Sequence, residues 1–582
     1  MLKWYRKVRS YFWTAIFAAA WRRAMRGATD APVPSFNLLI RRASVYDGSG
    51  AAPLLADVGL VGDRIAAIGD LSLLNGREEI DAAGMALAPG FINMLSWATE
   101  SLIVDPNSES DLRQGVTLEV FGEGVSMGPL NAAMKRDLLL RQRDPRFPLD
   151  WTTLGEYLEF LERRGVAPNV ASFVGATTLR VHELGYADRP PTPAELARMC
   201  DLVRDAMREG ALGVGSALIY APAAFAQPAE LRALASAAAE SGGGYISHLR
   251  SESTRLLDAI DELIDIARVT GTHTEIYHLK AAGAPSWPLM DAAIARIEAA
   301  RGAGLDVSAN MYPYLAGASG LDAAMPPWVQ EGGHSAWIAR LRDPVVRAQV
   351  IAEVAHPSPQ WESLYAAAGS PENVLLLGFR SAPLQQYTGL TLAAVARERG
   401  QRPEETLVDL VLEDDSRVNA AYFMMSEDHV RRLLSLPWVS LCSDEESMAP
   451  RGDFARNTPH PRAYGAFARF LGHYVRERKV VPLAEAIHRL TGLPARNLRL
   501  RERGLIRSGY FADLVLFDPA LIADRATYAQ PQQFALGVSH VIVNGQLVLR
   551  EGRLTGARPG RFVRGPGWHA NAEKAAAAAR AN

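Results

Sequence analysis

The chain has 582 residues, 48% hydrophobic and 22% charged, with 48 glycines and 35 prolines. This is a globular composition that excludes collagen-like, disordered and disulfide-built proteins. Its 62 lysines and arginines against 64 aspartates and glutamates leave a net charge of -2, so no global field gathers polyanions and no nucleic-acid partner is expected. The two cysteines, Cys200 and Cys442, stand in unrelated contexts, which leaves histidines and carboxylates as the side chains able to hold a metal.

Residues 1–30 are read apart from the rest. Lys3, Arg6, Lys7 and Arg9 precede an apolar run from Tyr11 to Trp21, and Arg22, Arg23 and Arg26 follow it. The run is short of the about 20 residues that a membrane-crossing helix needs. It fits the core of an export signal, or a helix lying on a membrane surface through residues 1–27 with Trp4, Tyr5, Phe12, Phe17 and Trp21 as anchors, and a poorly ordered extension fits equally well. The expected location is therefore the periplasm or a membrane surface, otherwise the cytoplasm.

From Phe36 to Ala88 the chain carries short β-type runs, Leu38 to Arg41, Asp57 to Val61 and Arg64 to Ile68, parted by Gly and Asp turns. The same style returns at Ala512 to Phe517, Val541 to Gly545 and Gln546 to Arg550. Residues 36–88 and 503–563 are expected to form one composite β-sandwich domain. Between them, eight apolar runs alternate with helical text: Ala86 to Asn93, Thr117 to Glu123, Asn169 to Gly175, Leu212 to Tyr220, Gly244 to His248, Thr274 to His278, Leu305 to Tyr312 and Trp438 to Asp444. Pro193 to Glu209, Ala229 to Ser241, Thr254 to Val269 and Leu289 to Arg301 are among the helical stretches. The alternation predicts an α/β fold, a (β/α)8 TIM-like barrel over residues 89–502, because buried parallel strands read as unbroken apolar text. The stretch at about 315–436 is too long for one loop and is read as an inserted lid. Residues 564–582 are read as a flexible tail, in which Lys574 to Arg580 is helix-prone but has no face to bury.

Several of these runs stop on a residue able to ligate metal or move a proton: Glu123, His248, His278 and Asp444. Barrel enzymes build their sites at the carboxyl ends of the strands, so these four converge on one pocket. Two imidazoles and a carboxylate suffice for a divalent ion with an open position that lowers the pKa of water, and Asp444 can then serve as general base. Taken singly, each has a plainer use: a hydrogen-bonded histidine, a glycine-flanked turn at Glu123, a helix cap at Asp444. Glu119 competes with Glu123 as the carboxylate ligand.

These residues, with Leu87-Ala-Pro-Gly-Phe-Ile-Asn93, Gln114-Gly-Val-Thr117, Tyr245-Ile-Ser-His-Leu-Arg-Ser-Glu252, His278-Leu-Lys280, Tyr312-Pro-Tyr314, Ser443-Asp444, His460-Pro-Arg462 and Ala512-Asp-Leu-Val515, carry a likeness. From about Leu38 to Val563 the chain resembles the N-acyl-D-amino-acid deacylase (D-aminoacylase) group of the amidohydrolase superfamily. The resemblance implies a barrel with a β-sandwich from both chain ends. It implies that His248 and His278 are the imidazole ligands of a tightly bound zinc, that Asp444 is the catalytic aspartate, and that Lys280, Tyr312 and Arg462 hold the substrate carboxylate. Glu123 falls where that family places a metal-binding cysteine. The harder carboxylate keeps Zn2+ acceptable and makes Mn2+ or Fe2+ more so. Where the family has a His-x-His pair at the end of the first barrel strand, this chain has Leu95-Ser-Trp97, and neither Leu nor Trp ligates metal. One divalent ion, Zn2+ in the first instance, and an apolar pocket floor are expected.

The leading reading is a metal-dependent amidohydrolase that cleaves a linear amide, an N-acyl (D-)amino acid or similar small molecule, with water attacking the acyl carbonyl and Asp444 as base. The alternative is an inactive binding protein of the same fold that has lost the His-x-His site. A cyclic-amide hydrolase of the dihydropyrimidinase type is disfavoured, because Gly213-Val-Gly-Ser-Ala-Leu218 offers no lysine to bridge two metals. Either a monomer or a homo-oligomer is compatible with this text.

Overall fold

The computed structural model describes residues 36–142, 146–456 and 458–568. The basic and apolar segment at 1–30 and the helix-prone Lys574 to Arg580 lie outside the described residues. Among those described, no helix is long and apolar enough to cross a membrane.

Eight parallel strands close a barrel: Phe91–Asn93, Val116–Phe121, Asn169–Ser172 continued by Val174–Gly175, Gly213–Ala217, Gly244–His248, Thr274–Ile276, Val307–Met311 and Val439–Leu441. The ring closes between the last strand and the first. Met94 N–H donates to Leu441 O at 3.3 Å, Asp444 N–H donates to Leu95 O at 2.9 Å, and Ser96 bridges Glu445. Val116–Phe121 and Gly213–Ala217 are buried along their whole length, which is why they read as largely apolar text broken only by Thr117, Glu119 and Ser216. The outer helices follow local rules as well. Pro193–Glu209 starts on Thr192 and Glu195 in a reciprocal cap with Pro at its first turn, buries Met199, Val203, Ala206 and Met207 on one face, and ends on Gly210 in the left-handed region.

Three features differ from the sequence reading. The run Ala86 to Asn93 is two strands in two sheets. Ala86–Pro89 pairs with Leu514–Phe517 and with the first strand Phe36–Val45, while Phe91–Asn93 enters the barrel. The chain passes between the sheets at Gly90, where any side chain would strike Thr117. Through these pairings the two chain ends share one nine-stranded sheet, and the composite domain takes that form. Its core draws Leu38, Ile40, Val58 and Leu60 from one end and Leu514, Leu516 and Ile542 from the other.

The insertion has its own antiparallel sheet, in which Asn419–Phe423 lies between Ala316–Gly320 and Val374–Gly378. Ala316 pairs with Phe423, so the ends of the insertion meet there and not at 436. The following helix Glu427–Leu433 belongs to the outer ring, where Arg432 pairs with Asp291 of helix Met290–Gly302. At the other end, Arg564 and Gly565 are anchored where a tail was expected to begin. Gly565 N–H donates to Gly210 O at 2.8 Å, and Arg564 pairs with Glu159 at 2.9 Å.

Candidate active site

Six of the expected site residues, Glu123, His248, His278, Lys280, Tyr312 and Asp444, stand at or just past the carboxyl end of a barrel strand, and Arg462 opens the helix Arg462–Arg469. Glu123 follows Val116–Phe121 in a Gly-Glu-Gly turn. Gly122 and Gly124 have φ of +109° and +69°, and a Cβ on Gly124 would lie 2.8 Å from that of Ala217, so the turn needs both glycines. His248 ends Gly244–His248, and His278 follows Thr274–Ile276 with φ +35°. Asp444 follows Val439–Leu441 with φ +53°. Left-handed backbone costs a side-chain-bearing residue about 1–3 kcal/mol and is held only where the surroundings impose it, a pattern that concentrates at functional sites.

The structure brings all seven predicted residues to one cavity of about 910 Å3, lined by Glu123, His248, His278, Lys280, Tyr312, Asp444 and Arg462. Glu123 Oε1 lies 3.0 Å from His248 Nδ1 and 2.9 Å from His278 Nε2. The two rings stand 4.5 Å apart at 83°. Ligand atoms of these three buried residues all lie within 4.8 Å of one another, so the donor set converges as a single divalent ion requires. Glu119 is excluded from it. Its oxygens accept from Asn93 Nδ2 at 3.1 Å and Ser108 Oγ at 3.0 Å in a separate buried network.

Burial alone would raise the Glu123 carboxyl, but the hydrogen bonds from both histidines outweigh it and hold it well below the usual range. Burial and the Lys280 charge push His278 down. The carboxylates of Glu252, Asp444 and Glu123 prevail and take it up to about 9. Asp444 is raised by burial against the pull of Arg462. A buried carboxylate displaced upward suits a group that takes a proton and gives it back.

Arg462 Nη1 donates to Asp444 Oδ2 at 2.6 Å. Its guanidinium lies 4.5 Å from the Tyr312 ring centroid, and Lys280 Nζ stands 5.9 Å from the same ring. His460 supports this arm by accepting from Arg462 N–H at 3.0 Å. The expected apolar floor is corrected in part: Leu95 is buried, but the Trp97 indole N–H donates to Asp444 Oδ1 at 3.2 Å, so this wall of the pocket is polar where it meets the carboxylate. Sequence reasoning passed over Glu252. It is buried against both histidines and accepts from Lys280 Nζ at 2.7 and 2.8 Å. Its place four residues after His248, within the quoted Ser-His-Leu-Arg-Ser-Glu motif, was the available signal.

A barrel with residues able to hold a metal gathered at its strand ends points to the class, a metal-dependent hydrolase of the amidohydrolase type. The amidohydrolase family profile Amidohydro_3 matches residues 120–549. D-aminoacylase of Alcaligenes xylosoxydans xylosoxydans is 33% identical over 543 residues, covering 91% of this chain and 97% of that protein. N-acyl-D-glutamate deacylase from Bordetella bronchiseptica, solved with zinc and a phosphonate mimic of the tetrahedral intermediate, aligns with a TM-score of 0.75 at 30% identity, over 91% of this chain and all of the other. A D-aminoacylase structure described by a binuclear metal centre with one-metal activation and second-metal attenuation aligns at a TM-score of 0.74 with 31% identity, over the same shares. The chain belongs to the amidohydrolase family.

Proposed function

We propose that the protein is a hydrolase that removes the acyl group from an N-acyl-D-amino acid, using one divalent ion, Zn2+ in the first instance, held by Glu123, His248 and His278. The observation that carries this is the convergence of those three donors beside the Asp444–Arg462 pair. When bound, the ion polarises the acyl carbonyl and lowers the pKa of water. Asp444 takes the proton of the attacking water and returns it to the leaving amine as the carbon–nitrogen bond breaks. Arg462 and Trp97 each hold one oxygen of that carboxylate. Arg462, Tyr312 and Lys280 form the cationic and phenolic wall that receives the substrate carboxylate. Leu95 and Trp97 stand where a second metal would need ligands, which supports a single ion.

Three converging donors beside a carboxylate clamped by Arg462 favour turnover over the alternative of a binding protein. Elemental mass spectrometry and an assay of N-acetyl amino acids of both hands decide between them. One ion per chain, lost in His248→Ala, together with release of D-amino acid, is the expected result. A folded parent that takes up no Zn2+ or Mn2+ would instead establish the binding protein.

A further inference from the structure

The two metal-facing histidines use opposite nitrogens. His248 turns Nδ1 to Glu123, and His278 turns Nε2 to the same oxygen. Each ring then has one nitrogen pointing away from the donor cluster, and both of these face Glu252. His278 Nδ1 lies 3.1 Å from Glu252 Oε1 and 2.8 Å from Lys280 Nζ, and His248 Nε2, buried and without a hydrogen-bond partner, lies 3.4 Å from Glu252 Oε2, an ion-pair distance. One carboxylate therefore stands behind both imidazoles, one oxygen to each.

We infer that Glu252 is the positioning residue of the metal site, a carboxylate placed behind the outward nitrogens of both His248 and His278 to take their N–H once the inward nitrogens, Nδ1 of one and Nε2 of the other, face the ion. A neutral imidazole carries one proton, and a carboxylate behind the outward nitrogen keeps it there, leaving the inward lone pair for the metal. Serving two rings from one residue makes the arrangement depend on both oxygens. An amide has a single acceptor, and its NH2 would meet one ring N–H head on.

The surroundings fit this work. Lys280 Nζ lies 2.7 and 2.8 Å from the two Glu252 oxygens and is the counter-charge that a fully buried carboxylate needs. The loop that carries Glu252 is tied to the insertion. Glu362 accepts from Ser251 Oγ and Ser253 Oγ, both at 2.8 Å, and from Glu252 N–H at 3.3 Å. The insertion thus reaches the metal ligands through a chain of hydrogen bonds as well as lining the pocket.

This rests on the metal-site reading above, and the test separates the two. Apo protein is titrated with Zn2+ against a chromogenic chelator for the parent, His248→Ala, Glu252→Gln and Glu252→Asp, with circular dichroism as the check on folding. The expected result is one tight site in the parent, none in His248→Ala, and affinity weakened about 10- to 100-fold in Glu252→Gln. Parent-like affinity in folded Glu252→Gln overturns the inference while leaving the function standing. A parent that binds no Zn2+ overturns the function itself. Should Glu252→Gln not fold, Glu252→Asp carries the test: a carboxylate one methylene shorter cannot face both rings, so weakened binding supports the inference and parent-like binding overturns it.

Discussion

At the scale of single residues, the proposed chemistry turns on how Asp444 is held. Its two oxygens are taken by different donors, Trp97 Nε1 on Oδ1 at 3.2 Å and Arg462 Nη1 on Oδ2 at 2.6 Å, and its backbone sits in the left-handed region. An asparagine there keeps the size and loses the base. Asp444→Asn is expected to lower kcat by about 10²- to 10⁴-fold, with the zinc content per chain unchanged. Steady-state kinetics and elemental analysis on one preparation check both halves. Trp97→Phe keeps an aromatic ring but loses the pyrrole half of the indole with its N–H donor, and with it a hydrogen bond worth about 1 kcal/mol or more because its acceptor is charged. The expected outcome is a fall of about fivefold or more in kcat with KM little changed. An unaltered kcat would show that Arg462 alone fixes the carboxylate.

At the scale of elements, what could be read from the sequence follows from burial. Parallel barrel strands are covered on both faces, so their text is continuous and the candidate site residue at a strand end marks itself, as at His248 and Asp444. The switch at Gly90 was invisible because the chain leaves one buried sheet for another with no change in composition. The helix Glu427–Leu433 reads like those of the insertion, which hid where the insertion closes. Glu252 lies in a loop past its strand, where no periodicity marks a side chain, and only its contacts show its place. The opposite barrel end holds a testable group of its own. His273, 5% exposed, opens the strand Thr274–Ile276 and faces Asp306 Oδ1 at 3.1 Å and Glu275 Oε2 at 3.2 Å. Burial lowers its pKa, but the two carboxylates outweigh burial and raise it above the ordinary value of 6.5. A raised histidine contributes its stability in full below the unfolded value and loses it as pH climbs through the folded one. His273→Gln is therefore expected to destabilise more at about pH 6 than at about pH 9. Urea midpoints at the two pH values read the difference, and equal losses would count against a charged His273.

At the scale of the whole molecule, the two ends of the barrel do different work, and the carboxyl-terminal strap meets the end away from the site. Gly560 N–H donates to Val166 O at 2.8 Å, Val170 N–H to Arg561 O at 3.0 Å, and Val563 N–H to Val170 O at 2.8 Å. These partners lead into or begin the strand Asn169–Ser172, so the strap closes the amino-terminal face while the ligands gather at the carboxyl-terminal one. Phe562 is the buried anchor of the strap, 5% exposed. Removing such a ring costs about 3–5 kcal/mol, and that face of a barrel serves stability while the other serves catalysis. Phe562→Ala is accordingly expected to lower the denaturant midpoint while leaving Zn2+ affinity and kcat per folded molecule at parent values. A loss of zinc affinity in the folded variant would mean that the two faces are coupled through the strands, and that the strap helps to set the spacing of Glu123, His248 and His278.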